Sequence, residues 1–164
     1  MILAAAMALP ASAAGFGDTT VTLELTGATL DISVPTGPVS LGVKAVTDSS
    51  ASGPLGLVTV TDNRSADPAA WAASVSATPF QSGAHVLSAS YDTGVVTSTG
   101  IPISQWTINT PVTLTPNPQQ IVTLNPTWPG GGNNSAAWNP TITVAIPPNA
   151  IAGTYSSVVT HSVI

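Results

Sequence analysis

His85 and His161 are the only imidazoles in this chain, and no cysteine accompanies them. A protein zinc site needs roughly three or four nitrogen or sulfur ligands, and two histidines do not make one. A Ser-His-Asp relay would have many serines to draw on. No Gly-x-Ser-x-Gly elbow is present, however, and no acid follows Asp92 to orient His161 locally. No residue is therefore assigned a catalytic role, no metal or cofactor is expected, and the chain does not read as an enzyme. His161 reads instead as a packed residue of a sheet face that makes one local hydrogen bond. Burial without an acidic partner would hold its pKa below the ordinary value.

The most polar stretch is 58–71, which contains Asp62, Asn63, Arg64 and Asp67. Asp62 and Arg64 are close enough for an ion pair at a strand end, where Asp62 would also accept bonds from local backbone N–H groups. Asp62, Asn63 and Asp67 also offer oxygens to calcium. That ion takes about six to eight of them, and the EF-hand spacing is absent, so the ion-paired turn is the preferred reading.

Four tryptophans supply the large amphipathic surfaces. Trp71 shares strand parity with Ala73 and Val75 and reads as core. Trp128 and Trp138 bracket Pro129-Gly130-Gly131-Gly132-Asn133-Asn134, a glycine-rich loop able to hold an aromatic ring in the open. Exposed aromatics beside amides suit sugar and peptidoglycan recognition, by stacking on a ring face with added polar contacts. Trp128, Trp138, Asn133 and Asn134 are the candidate ligand-binding residues. The alternative is that the two tryptophans close the end of a sandwich.

The elements that must position these residues read as strands throughout. Val21, Leu23 and Leu25 alternate with Thr22 and Glu24, and Leu30, Ile32 and Val34 alternate with Asp31 and Ser33. Gly27 between the two runs predicts a hairpin. Further strands are predicted over 39–46, 55–61, 71–77, 84–91, 111–115, 119–124, 141–146 and 154–163. Turn signals lie at 35–38, 49–54, 81–83, 92–94, 116–118 and 129–134. Strands at roughly 8–12-residue spacing predict an all-β, antiparallel, Greek-key-like sandwich of about eight to ten strands. Leu23, Leu25, Ile32, Val60, Trp71, Val75, Ile142, Val144, Tyr155 and Val159 are its expected core. On the last strand, Tyr155, Val159, His161 and Val163 share one face.

At 164 residues the chain is expected to form one domain with a core that needs no disulfide staples. Only 5% of residues are charged, against about a quarter in a typical soluble protein, and Thr, Ser, Asn and Gln cover the surface instead. Lys44 and Arg64 are the only firm cations and the formal net charge is −5, which argues against nucleic-acid binding. Residues 1–14 combine a short apolar run, Pro10 and the A-x-A site Ala11-Ser12-Ala13. They read as a signal peptide, cut short at its basic end, ahead of a single domain over 15–164. The run is too short to span a bilayer, so no transmembrane anchor is expected.

Taken together these segments resemble the WxL domain, a cell-surface module of Gram-positive bacteria. Its distal motif, Tyr-x-x-x-(Leu/Val/Ile)-Thr-Trp-x-Leu, is matched from Tyr155 through Val159 and Thr160 to Val163, with His161 in the Trp position and Val163 in the Leu position. Its proximal W-x-L follows a Val-Thr-Asp-x-Arg segment, present here from Val60 through Asp62 to Arg64. The W-x-L itself is Trp71-Ala72-Ala73, so the Leu is replaced. The resemblance implies a secreted, extracellular, non-catalytic domain that attaches non-covalently to the cell envelope, with cell-wall glycan or peptidoglycan as partner. Asp62, Arg64, Trp71, Tyr155, Thr160, His161 and Val163 are the motif positions carried over. The rival expectation is a structural subunit of a surface layer or filament that associates with itself or with other surface proteins. Near absence of charge removes the lysines that usually blunt strand edges.

Overall fold

The computed structural model describes residues 20–125 and 131–164. The expected leader, 1–14, lies outside the described residues, as does Trp128. Among the described residues there are fourteen strands, one 3-10 turn and no α-helix. The all-β expectation holds, with more and shorter strands than the spacing predicted.

Three four-stranded antiparallel sheets and one hairpin make up the fold. The first sheet contains β1 (Leu30–Ser33), β3 (Val58–Asp62), β8 (Val96–Thr99) and β12 (Asn134–Trp138), in the order β1-β3-β12-β8. The second contains β2 (Ser50–Pro54), β7 (Ala89–Asp92), β10 (Val112–Thr113) and β13 (Thr141–Ala145), in the order β10-β7-β13-β2. The third contains β4 (Trp71–Ala77), β9 (Trp106–Ile108), β11 (Gln119–Leu124) and β14 (Val159–Val163), in the order β14-β4-β11-β9. Among the described residues, the short pair β5 (Phe80–Ser82) and β6 (His85–Leu87) forms the only hairpin between consecutive strands. Every other pairing joins strands distant in sequence, so the sheets are held by long-range register and not by local turns.

That register selects the core. On β3 the residues alternate buried and half-buried, with Val58, Val60 and Asp62 inward, and β12 opposes them with Trp138, Ala136 and Asn134. Strand β4 is central in its sheet and packs small alanines close, so Trp71, Ala72, Ala73, Val75 and Ala77 are all buried. A register shift between Gln120 and Val122 on β11 lets the neighbours Ile121 and Val122 both turn inward. Trp71 and Trp106 meet edge to face at 4.8 Å between ring centroids, a geometry aromatic pairs prefer.

Several expected elements are corrected. Residues 21–25 form no strand, and Leu23 and Leu25, expected in the core, are 82% and 86% exposed. The predicted hairpin fails because the chain does not turn at Gly27. Ala28 N–H donates to the Asn63 carbonyl and Asn63 N–H to the Thr29 carbonyl, which prolongs the β1–β3 ladder outward. Gly27 itself lies so close to the Arg64 carbonyl that a Cβ there would overlap it.

Residues 39–46 are also not a strand. Pro35 and Pro38 remove backbone donors, Gly42 has φ +81°, and the segment ends in a turn in which Asp48 N–H bonds the Ala45 carbonyl. The 49–54 stretch, expected as a turn, is strand β2 along β13. Of the turn expected over 129–134, residues 129 and 130 lie outside the described residues, and Asn134 opens β12. The 84–91 strand divides at Ser88, whose carbonyl accepts from Ala145 N–H. The last strand is regular only from Val159, preceded by a single bridge between Gln81 and Ser156. Of the expected core, Val60, Trp71, Val75, Ile142 and Val144 are buried, while Ile32, Tyr155 and Val159 are half-buried.

Candidate functional site

Two polar clusters and one apolar groove contain the chemistry of this fold. The first cluster forms at the ends of β3 and β12, where the register sets Asp62 opposite Asn134 on the inward face. Asp62 is fully buried. Its Oδ1 accepts from Arg64 Nε at 2.9 Å and from Arg64 N–H at 3.0 Å, and its Oδ2 accepts from Arg64 Nη2 at 3.0 Å. Arg64 Nη2 also donates to the Ala70 carbonyl at 2.8 Å. On the other side, Trp71 Nε1 donates to Asn134 Oδ1 at 2.9 Å, and Asn134 Nδ2 reaches toward Asp62 Oδ2 at 3.5 Å. Burial works to raise the Asp62 pKa, but the Arg64 hydrogen bonds and charge, with the bond from Asn134, outweigh it and the net shift is downward. The same pairing raises Arg64.

This cluster brings together Asp62, Arg64 and Trp71 of the expected motif with Asn134, which was expected to bind ligand. All four act structurally: they tie the 63–70 loop to β4 and β12. Both Asp62 oxygens are taken up by Arg64, and Asp67 is exposed. Among the described residues no three His, Cys, Asp or Glu side chains lie together in a way that could hold a metal ion. Arg64→Ala should destabilise the fold by about 2 kcal/mol. Breaking a buried pair costs roughly 3–5 kcal/mol, but the Arg64 side chain is 35% exposed and water replaces part of what it supplies. Urea unfolding at neutral pH measures this, and Arg64→Lys should recover only part of the loss, since an ammonium cannot make the forked contact.

The second cluster spans three sheets. Trp138 Nε1 donates to Tyr91 Oη at 2.8 Å, and Tyr91 Oη lies 2.9 Å from His161 Nε2. With Trp138 donating, the Tyr91 hydroxyl hydrogen is free to go to Nε2, an arrangement that suits a neutral ring protonated at Nδ1. Burial lowers the His161 pKa to about 4 and raises that of Tyr91. His161 is half-buried and makes one side-chain hydrogen bond, but the partner is not local as expected: Tyr91 lies 70 positions away on β7. Trp138 is 1% exposed and Asn134 4%, so neither presents itself to a glycan, and the expectation of an open platform is corrected for both. The register of β12 with β3 turns them inward. Asn133 stays exposed and accepts from Ser65 Oγ at 2.8 Å. Tyr155 Oη donates to the Ile151 carbonyl, Thr160 is exposed, and Val163 is half-buried. His85 is exposed on the β5–β6 hairpin.

The groove was not foreseen. A half-open cavity of about 850 Å³ lies between β2 and β13 on one side and β14 on the other, beneath residues 34–46. Its walls are mainly apolar, with Leu41, Phe80, Leu87, Ile142, Val144 and Val159 prominent, and Ser40, Thr154, Ser156 and His161 also line it. Among the described residues its one charged lining residue is Lys44. The volume is in the range of sites that take small apolar molecules or extended peptides. Its walls come from segments 34–46, 51–55, 80–87, 142–146 and 150–161, so only the proline- and glycine-interrupted run at 35–42 hinted at an unusual surface. No family model, curated protein or solved structure matches the chain.

Proposed function

We propose that this chain is a non-catalytic, secreted WxL-like domain of the bacterial cell surface that acts as a structural subunit, assembling with copies of itself at the envelope. The observation that supports this reading is the segment 20–27. Val21, Leu23 and Leu25 alternate as in a half-buried strand, yet they are 87%, 82% and 86% exposed. Among the described residues nothing pairs with the backbone of 20–27. An apolar, strand-patterned segment left outside its own fold is suited to pairing with another chain.

Non-covalent attachment to peptidoglycan is the companion reading, supported by the motif resemblance and by the exposed Asn133–Ser65 pair. Light scattering of the purified chain over a concentration series, alongside pull-down on isolated cell walls, tests both. Assembly predicts a mass that grows with concentration, and a monomer throughout contradicts it. Wall retention should depend little on salt, because so few charges are available to be screened. Release from the walls at moderate ionic strength would contradict the glycan contact.

A further inference from the structure

The geometry points to the partner of that segment: residues 20–27 of one copy dock, extended, in the apolar groove of a second copy. This rests on the self-assembly reading and specifies its contact. Strands β2 and β14 are each at an edge of their sheet, and residues of both line the groove. The groove is therefore bordered by two sheet edges as well as by the inner strand β13, and a strand added at such an edge gains both backbone pairing and side-chain packing. The arm carries the matching pattern. Val21, Leu23 and Leu25 project from one face of an extended chain and, at about 3.4 Å per residue, span about 14 Å.

Charge agrees with this pairing. Glu24 is the only acid of the arm, and among the described residues Lys44 is the only charged one lining the groove. Among the described residues neither makes an ion pair, since the other cation, Arg64, is engaged by Asp62. The arm does not serve its own groove. It leaves β1 beside Leu30, which pairs with Asp62, whereas the groove begins past the other end of β1, at Val34 and Pro35. Close packing of Gly27 on the Arg64 backbone and the Ala28–Asn63 hydrogen bond direct the arm away from that end. The occupant is thus a second copy, joined head to tail, and such a contact propagates into rings or open filaments.

Sedimentation velocity of the 164-residue chain over a concentration series provides the test. The Leu23→Asp/Leu25→Asp variant should raise the concentration at half-association at least ~100-fold, because two apolar side chains lose their burial. Both chains keep the same residues 1–19, so the difference isolates the arm. Lys44→Glu should weaken association about two- to fivefold, the range of an exposed pair, and Glu24→Lys added to Lys44→Glu should restore it. A synthetic peptide of residues 20–28 should bind the arm variant and shift its His161 ring resonances. A wild-type chain that associates while the arm variant associates equally well overturns the arm contact and leaves self-assembly standing. A monomeric wild type overturns both. An arm variant that fails to associate, with no charge-swap rescue and no shift of His161 by the peptide, overturns the groove as the docking site.

Discussion

Trp71→Ala is expected to lose about 4–5 kcal/mol of folding stability, near the top of the range for removing a large buried aromatic. Trp71 is 3% exposed on β4, in the middle of the third sheet. Three effects act together. The ring leaves a cavity against β11, its edge-to-face partner Trp106 loses a neighbour at 4.8 Å, and Asn134 Oδ1 loses its indole donor. The last effect passes to Asp62, because Asn134 bridges between Trp71 and the buried carboxylate. Trp71→Phe separates the contributions. It keeps most of the volume and removes the N–H, so its cost should be about 1–3 kcal/mol, the penalty for an unsatisfied buried acceptor. Denaturant unfolding of both variants measures the pair of values. A loss below about 1 kcal/mol for Trp71→Ala, the usual range of a surface change, would place the ring outside the core.

Sequence pattern and structure agree where a strand carries a dense apolar run and disagree where a partner is needed to define it. The bounds of β4 and β11 were legible because central strands bury both faces and present dense apolar runs. Residues 21–25 show alternation as clean as that of β3, yet only the second run is a strand. Alternation records which faces differ in polarity. It does not record whether a neighbouring strand exists, and for 21–25 none does within the chain. The opposite error occurred at β12, where Asn134 read as the end of a glycine-rich loop and no strand was expected over 135–138. Its strand character comes from register with β3, which places Asn134 and Trp138 inward. The Asp62–Arg64 pair was legible because its members lie two positions apart. Asn134 and Tyr91 were not, since their partners Trp71 and His161 lie 63 and 70 positions away.

Acid sensitivity should come chiefly from His161, in a window distinct from that of the carboxylates. The ring is packed against Tyr91 at 5.5 Å between centroids, and burial lowers its pKa from 6.5 to about 4. Among the groups it bonds, Tyr91 is the only titratable one, and no Asp or Glu follows Asp92 in the chain. Protonation would put N–H donors from both Trp138 and His161 on one Tyr91 oxygen and leave the Tyr91 hydrogen without its acceptor. Between pH 6.5 and 4 the unfolded chain therefore binds a proton that the folded chain refuses. Stability is intact above about pH 6.5, falls as pH drops toward 4, and this contribution is flat below that. At about 1.4 kcal/mol per unit of separation, and with part of the ring on the solvent-reached groove wall, the loss should be about 2–3 kcal/mol. Asp62 acts lower. Its pKa is depressed below 3.8, so its contribution is present above that value and disappears only as pH falls further. His161→Gln keeps an acceptor for the Tyr91 hydroxyl and cannot titrate. Urea unfolding of this variant should show nearly constant stability from pH 6.5 to 4, while the drop below pH 3.8 remains. A wild-type His161 titrating above pH 7 by NMR would contradict the neutral, Tyr91-bonded ring and require an acid from a distant strand beside it.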